Sequence, residues 1–157
     1  VFNQEMTNRN EKFYSQLGID VHKVIWYSNY LPYSIEQSEM DYAIIESDDG
    51  QNYGRIFVIE FMKEKLDVSH IRRCAMYSKW LNETIALGQN IVQPIIICKD
   101  TFDFNSSDND ELKGNRLKSF NKLNNTINNE EGNANVRKIQ IFSYDFSRKT
   151  PIFNRKK

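Results

Sequence analysis

The feature that most constrains this chain is the run Arg55–Met62, "RIFVIEFM", which is apolar at odd and even positions alike. Side chains alternate between the two faces of an extended segment, so a run apolar on both faces reads as a central strand, covered on both sides. Ile91–Cys98, "IVQPIIIC", reads as a second buried strand despite Pro94 near its start. Between them, Asp67–Leu87 has helical character, with Ile71, Cys74, Leu81 and Ile85 on one stripe flanked by Tyr77 and Trp80. Asp67 or Ser69 is expected to cap that helix, and Gly88 to end it.

Upstream, Asp41–Glu46 ("DYAIIE") is strand-like, and the turn segment "SDDGQNYG" joins it to Arg55–Met62. Turn residues between two strand-like runs predict a β-hairpin. The first segment, to about Leu17, has helical spacing and a stop at Gly18, and Lys23–Ser28 is a β-rich run ended by Leu31-Pro32. Residues 101–135 form a polar, asparagine-rich insertion. It is read as an acidic loop, a basic amphipathic helix carrying Leu112, Leu117, Phe120, Leu123 and Ile127, and an Asn/Gly loop. Val136–Phe146 is the expected last strand, and the tail after Ser147 is expected to be loose. A hairpin followed by strand–helix–strand units predicts a single α/β domain over residues 1–157, with a mixed central sheet flanked by helices.

Composition narrows the class. At 39% apolar and 27% charged residues the chain is globular rather than disordered. No apolar run reaches the length of about 18 residues that a membrane span needs, and no signal-peptide pattern opens the chain, so an intracellular protein with no membrane partner is expected. The first residue is Val1 rather than Met, which leads us to expect a processed chain or a piece of a larger parent protein. Cys74 and Cys98 lack metal-ligand spacing and read as buried thiols; His22 and His70 read as surface or packing residues. Charge is uneven: residues 1–112 carry 10 basic and 18 acidic groups, net −8, and residues 113–157 carry 11 basic and 3 acidic groups, net +8. A basic C-terminal third suits phosphates, and it equally suits an ordinary solvated surface.

If the hairpin turns near Asp49-Gly50-Gln51, opposed residues have numbers summing to about 101–102, and Asp41 lies beside Glu60. Opposed residues share a face, with Cβ atoms about 4.5–5.5 Å apart. Two ionised carboxylates that close repel each other, and a hard cation such as Mg²⁺ or Mn²⁺ removes that cost. Carboxylates at strand ends in water, or paired with Lys or Arg, are the alternative.

The stretch Met40–Leu81 reads "MDYAIIESDDG", then "RIFVIEFMKEK", then "SHIRRCAMYSKWL". It resembles the PD-(D/E)XK (restriction-endonuclease-like) nuclease superfamily, in particular structure- or mismatch-specific endonucleases with a minimal core. The resemblance covers residues 20–100 well and the rest loosely. It implies a restriction-endonuclease-like core and Mg²⁺- or Mn²⁺-dependent hydrolysis of nucleic acid, DNA ahead of RNA, with a homodimer expected where both strands are cut. Asp41 and Glu60 would be catalytic and metal-binding, with Glu11 on the first helix as a third acidic ligand and Glu5 and Glu36 as rivals.

Two positions depart from the family pattern. The lysine two residues after the glutamate is Met62 here, with Lys63 one further along, and the helical glutamine is Arg73. Lys63 is the expected replacement, with Lys65 and Lys79 behind it. On a regular strand Lys63 points to the face opposite Glu60, and a bulge is needed to bring it round. Arg72, Arg73 and Lys79 are expected to contact nucleic acid, the arginines gripping a phosphate or, as the alternative, forming a surface salt bridge. The alternative is a catalytically inactive domain of this fold that binds nucleic acid or a protein partner.

Overall fold

A computed structural model describes residues 2–32, 39–48, 53–66, 68–100, 118, 122, 125, 135–145 and 152–156. Six strands form one sheet in the order of the chain: β1 (Val24–Pro32), β2 (Glu39–Ser47), β3 (Tyr53–Lys65), β4 (Ile91–Asp100), β5 (Gln140–Asp145) and β6 (Ile152–Lys156). β1, β2 and β3 pair antiparallel, β3, β4 and β5 pair parallel, and β6 returns antiparallel to β5. The architecture is therefore α/β with a mixed sheet, as the hairpin and the strand–helix–strand pattern predict. The helix α3 (Val68–Thr84) supplies the long crossover that the parallel β3–β4 pair requires.

Period-two alternation divides the core. On β3, Ile56, Val58 and Met62 pack toward α3 with Ile71, Cys74, Tyr77 and Leu81. Phe57 and Ile59 pack on the other face against Met6, Phe13, Tyr14 and Leu17. Met6 comes from the short helix α1 (Phe2–Thr7), Phe13 and Tyr14 from α2 (Glu11–Ser15) and Leu17 from the turn after it, where the sequence predicts one continuous helical segment to Leu17. The chain breaks at Arg9, whose φ of 50° is outside the helical region. Asn10 then caps α2 by accepting from Phe13 N at 3.3 Å. Helices this short have little stability of their own and hold by burying one face on the sheet.

β1 extends past Ser28 and ends at Pro32, where a proline is tolerated because β1 is an edge strand and no central ladder bond is left unmade. The tail after Ser147 is not loose throughout, because Ile152–Lys156 pairs along β5 and buries Phe153. Pro94 sits inside the buried strand β4; beside it the Gln93 side-chain amide donates to Pro94 O at 3.0 Å and Lys138 O at 3.1 Å. Most of the 101–135 insertion, including nearly all of its basic helix, lies outside the described residues, as do Asp49 and Gly50. Cys74 and Cys98 are buried free thiols. No described helix is long and apolar enough to cross a membrane.

Candidate active site

The hairpin register follows from the buried faces. Tyr42 opposes Ile59, Ala43 opposes Val58 and Ile44 opposes Phe57, each pair summing to 101. Continuing that count by one places Asp41 opposite Glu60. Glu60 lies two residues from Val58 and from Met62, hence on the α3 face. Asp41 lies two residues before Ala43, on that same face.

Here side chains take over from the backbone ladder. Glu60 Oε1 accepts from Asp41 N at 3.2 Å, and Asp41 Oδ2 accepts from Phe61 N at 2.7 Å. Each carboxylate thus ties its own strand to the other's backbone. The Glu60 side chain is 0% exposed, and Asp41 is partly exposed. From α3, Arg73 donates through Nε to Glu60 Oε2 at 3.0 Å and through Nη2 to the same oxygen at 2.9 Å. Its side chain keeps 42% of its surface in solvent, so the guanidinium closes the site from the outside.

Burial is the main reason the Glu60 carboxyl is pushed up to about 7, and the neighbouring Asp41 charge adds to the rise. Arg73 and the Asp41 N–H act against it. Two carboxylates and one guanidinium leave the cluster one negative charge in excess when all are ionised.

Met62, at the family's lysine position, is buried at 3% exposure in the α3-side core. Lys63 is exposed and falls in a register shift: between Met62↔Cys98 and Lys65↔Asp100, β3 has one residue more than β4. The strand alternation that would send Lys63 to the far face is therefore broken between Met62 and Lys65. Arg72 and Lys79 are exposed on α3. Arg73, expected to grip a phosphate, holds Glu60 in this structure. Glu11 is on α2, whose buried residues pack against the other face of the sheet, and it lies 3.7 Å from His22. Glu5 belongs to α1 and accepts from Asn10. Neither Glu11 nor Glu5 joins Asp41 and Glu60, and Glu36 lies outside the described residues.

Reasoning on motifs alone misses a second buried carboxylate. Glu46, 2% exposed, accepts from Asp20 N at Oε1, and its Oε2 accepts from Arg55 Nε at 2.9 Å and Nη2 at 2.7 Å. The same count to 101 reveals it, because Arg55 directly opposes Glu46.

A divalent cation would find hard oxygen donors from Asp41 and Glu60. Among the described residues no group of three His, Cys, Asp or Glu side chains is arranged to hold a metal. The chemistry of the pair fits Mg²⁺ or Mn²⁺, which take carboxylate oxygens and commonly retain several waters. Arg73 occupies Oε2 of Glu60, so a cation bound through that oxygen would have to displace the guanidinium. Comparison with family models, curated proteins and solved structures finds no match to this chain.

Proposed function

We propose that this chain is a restriction-endonuclease-like, divalent-cation-dependent endonuclease that hydrolyses phosphodiester bonds in nucleic acid, DNA ahead of RNA. The observation that carries the reading is the pairing of Asp41 and Glu60 on one sheet face, each bonded to the other's strand. In apolar strands such a pair costs stability unless a cation offsets it.

Asp41 and Glu60 would hold the Mg²⁺ or Mn²⁺. When bound, the ion polarises a phosphodiester and lowers the pKa of a water for in-line attack. Arg73 stands at the rim with part of its guanidinium in solvent, and its planar fork matches a phosphate as well as it matches Glu60. Turning outward, it would release Glu60 and hold the substrate together. Arg72 and Lys79, exposed on the same helix, are suited to contacts along the nucleic-acid backbone. Lys63 at the β3 bulge is the chain's replacement for the lysine that Met62 displaces. Cutting both strands of a duplex calls for two such sites and hence a homodimer.

Met62 in the core and Arg73 on Glu60 favour a second reading, a non-catalytic domain of this fold in which the carboxylate–guanidinium cluster only stabilises the sheet. One experiment separates them. Mn²⁺ binding is measured by calorimetry, and cleavage of labelled single- and double-stranded DNA and RNA is followed with Mn²⁺ present. Wild type should bind and cut, and Asp41→Ala should do neither. A wild type that fails to bind at millimolar Mn²⁺ and leaves every substrate intact supports the second reading.

A further inference from the structure

A second concave site lies on the sheet face away from Glu60. A groove of about 370 Å³ opens between the end of α2 and strands β3 to β6. That is near the lower end of the roughly 300–1,000 Å³ typical of small-molecule sites. Its floor is apolar, with Phe57 and Phe142 at 1% and 2% exposure. Among the described residues its lining includes two cations, Arg55 and Arg155, and three carboxamides, Gln16, Gln93 and Gln140, but no carboxylate.

These groups are not equally committed. Gln16 accepts from Phe153 N at 2.9 Å and donates to α2, and Gln93 spends its amide N–H on Pro94 and Lys138. Arg55 is held over the Phe57 ring at 5.2 Å while it forks onto Glu46. Its guanidinium is thus fixed, and its side chain stays partly exposed at the groove. Gln140 and Arg155 have no such engagement among the described residues, and Arg155 is exposed on β6. Gly18, with φ of +74°, borders the opening, and nothing lies within 4 Å of where its Cβ would be.

From this arrangement we infer that the groove binds a nucleoside monophosphate. Arg155 takes the phosphate, the Gln140 carboxamide hydrogen-bonds the base, and the base lies against the flat Arg55 guanidinium. A guanidinium plane stacks on a planar aromatic ring, and a free guanidinium binds a phosphate by charge-assisted, bidentate bonds. The inference does not depend on the carboxylate pair, which lies on the other face of the sheet.

The test is calorimetric titration of the full chain with the four common ribonucleoside monophosphates, their uncharged nucleosides and inorganic phosphate, at constant ionic strength. At least one monophosphate should bind about tenfold or more tightly than either phosphate or its own nucleoside, because each half supplies separate bonds. Arg155→Ala should weaken it by about tenfold, and Gln140→Ala should weaken it less. Both positions are outside the buried core, so the variants should fold, and circular dichroism checks this. Asp41→Ala should bind the monophosphate as wild type does, which separates this inference from the nuclease reading. No binding by any monophosphate at about 10 mM, the millimolar range being the weak end of specific affinity, overturns it. So does equal affinity for inorganic phosphate, or a folded Arg155→Ala that binds unchanged.

Discussion

The two ends of the β2–β3 hairpin solve the same problem with nearly the same parts. At one end Glu46 is buried with one backbone N–H on Oε1 and an arginine fork on Oε2. At the other, Glu60 is buried with one backbone N–H on Oε1 and an arginine on Oε2. In both, the N–H belongs to an aspartate. A buried glutamate under an arginine is therefore a structural device of this sheet and does not by itself mark a site. The difference lies in where the aspartate's charge goes. The Asp20 carboxylate turns back to accept from His22 N, and its charge is the weakest of the influences on Glu46. Asp41 accepts across the hairpin, and on Glu60 its charge is second only to burial. The cations differ too. Arg55 is fixed on the neighbouring strand opposite Glu46, whereas Arg73 comes from a helix and can leave without disturbing the ladder.

The largest effect should come from removing each arginine. Arg55→Ala and Arg73→Ala each strand a buried carboxylate. Breaking a buried pair costs about 3–5 kcal/mol, and partial solvation of both guanidinium groups argues for the low end, about 3 kcal/mol. Urea denaturation should find similar losses in metal-free buffer. Millimolar Mn²⁺ should then restore much of the stability of Arg73→Ala, where two carboxylates face the vacated space, and leave Arg55→Ala unchanged. Equal rescue of both variants, or of neither, would remove the distinction between the two ends.

The next effect is on pH dependence without metal. The folded-state pKa of Glu60, about 7, lies above its ordinary value of 4.5, so the native state holds the proton more tightly than the unfolded chain. Stability from this group is fully present below about pH 4.5 and falls as pH rises through 7, by on the order of 3 kcal/mol in total. Burial also raises the Glu46 carboxyl, with the same sign. Glu60→Gln should therefore flatten the decline of stability between pH 5 and 8 without abolishing it. With Mn²⁺ bound, the Glu60 contribution should reverse, because the ion binds the carboxylate and competes with the proton. A Glu60→Gln profile that parallels wild type would place the titration elsewhere.

Why some of this was legible in the sequence and some was not has physical reasons. The hairpin register could be read because two apolar runs flank a short turn, and a slip of one residue would send every buried side chain to the wrong face. That register alone brings Asp41 to Glu60 and, unnoticed, Arg55 to Glu46. The partner of Arg73 could not be read, because it depends on how α3 is turned on the sheet, and a surface arginine one turn from Tyr77 suits a phosphate equally well. β6 escaped notice because "IFNRK" is short, follows Pro151 and carries two charges; its pairing with β5 is tertiary. The bulge at Lys63 leaves no periodic trace, since one extra residue in a strand exit looks like an ordinary polar end.

A smaller effect on stability, with a large one on function, is expected from Asp41→Asn. The amide oxygen can still accept from Phe61 N, but the charge that repels Glu60 is gone. Metal-free stability at pH 8 should rise by about 1 kcal/mol, within the range for relieving one charged neighbour. Mn²⁺ binding and any cleavage should be lost. Opposite signs for stability and function would mark Asp41 as kept for chemistry rather than for folding. Asp20→Asn at the other end should change neither Mn²⁺ binding nor cleavage. An Asp41→Asn variant that loses stability would put Asp41 with Asp20 among the purely structural residues.

The smallest change in stability should come from Lys63→Ala. Lys63 is exposed, so its loss should alter folding by no more than about 0.5 kcal/mol. Its effect on cleavage decides whether the bulge has a purpose. Two residues of β3, Lys63 and Glu64, stand against Lys99 of β4, so the strand cannot keep its alternation through this point. An ammonium group brought to the Glu60 face would stabilise charge that develops on the phosphate during attack. Such an interaction acts on the transition state more than on bound substrate. Lys63→Ala should then lower the cleavage rate by about 10- to 100-fold, the span of a lost charge-assisted contact, with nucleic-acid affinity nearly unchanged. Arg72→Ala should show the converse, weaker binding with a flatter salt dependence and a nearly unchanged rate at saturation, since a phosphate contact works through counterion release. A fully active Lys63→Ala would take Lys63 out of the mechanism. The charge that Met62 lacks would then have to come from Lys65, from Lys79, or from Arg73 after it leaves Glu60.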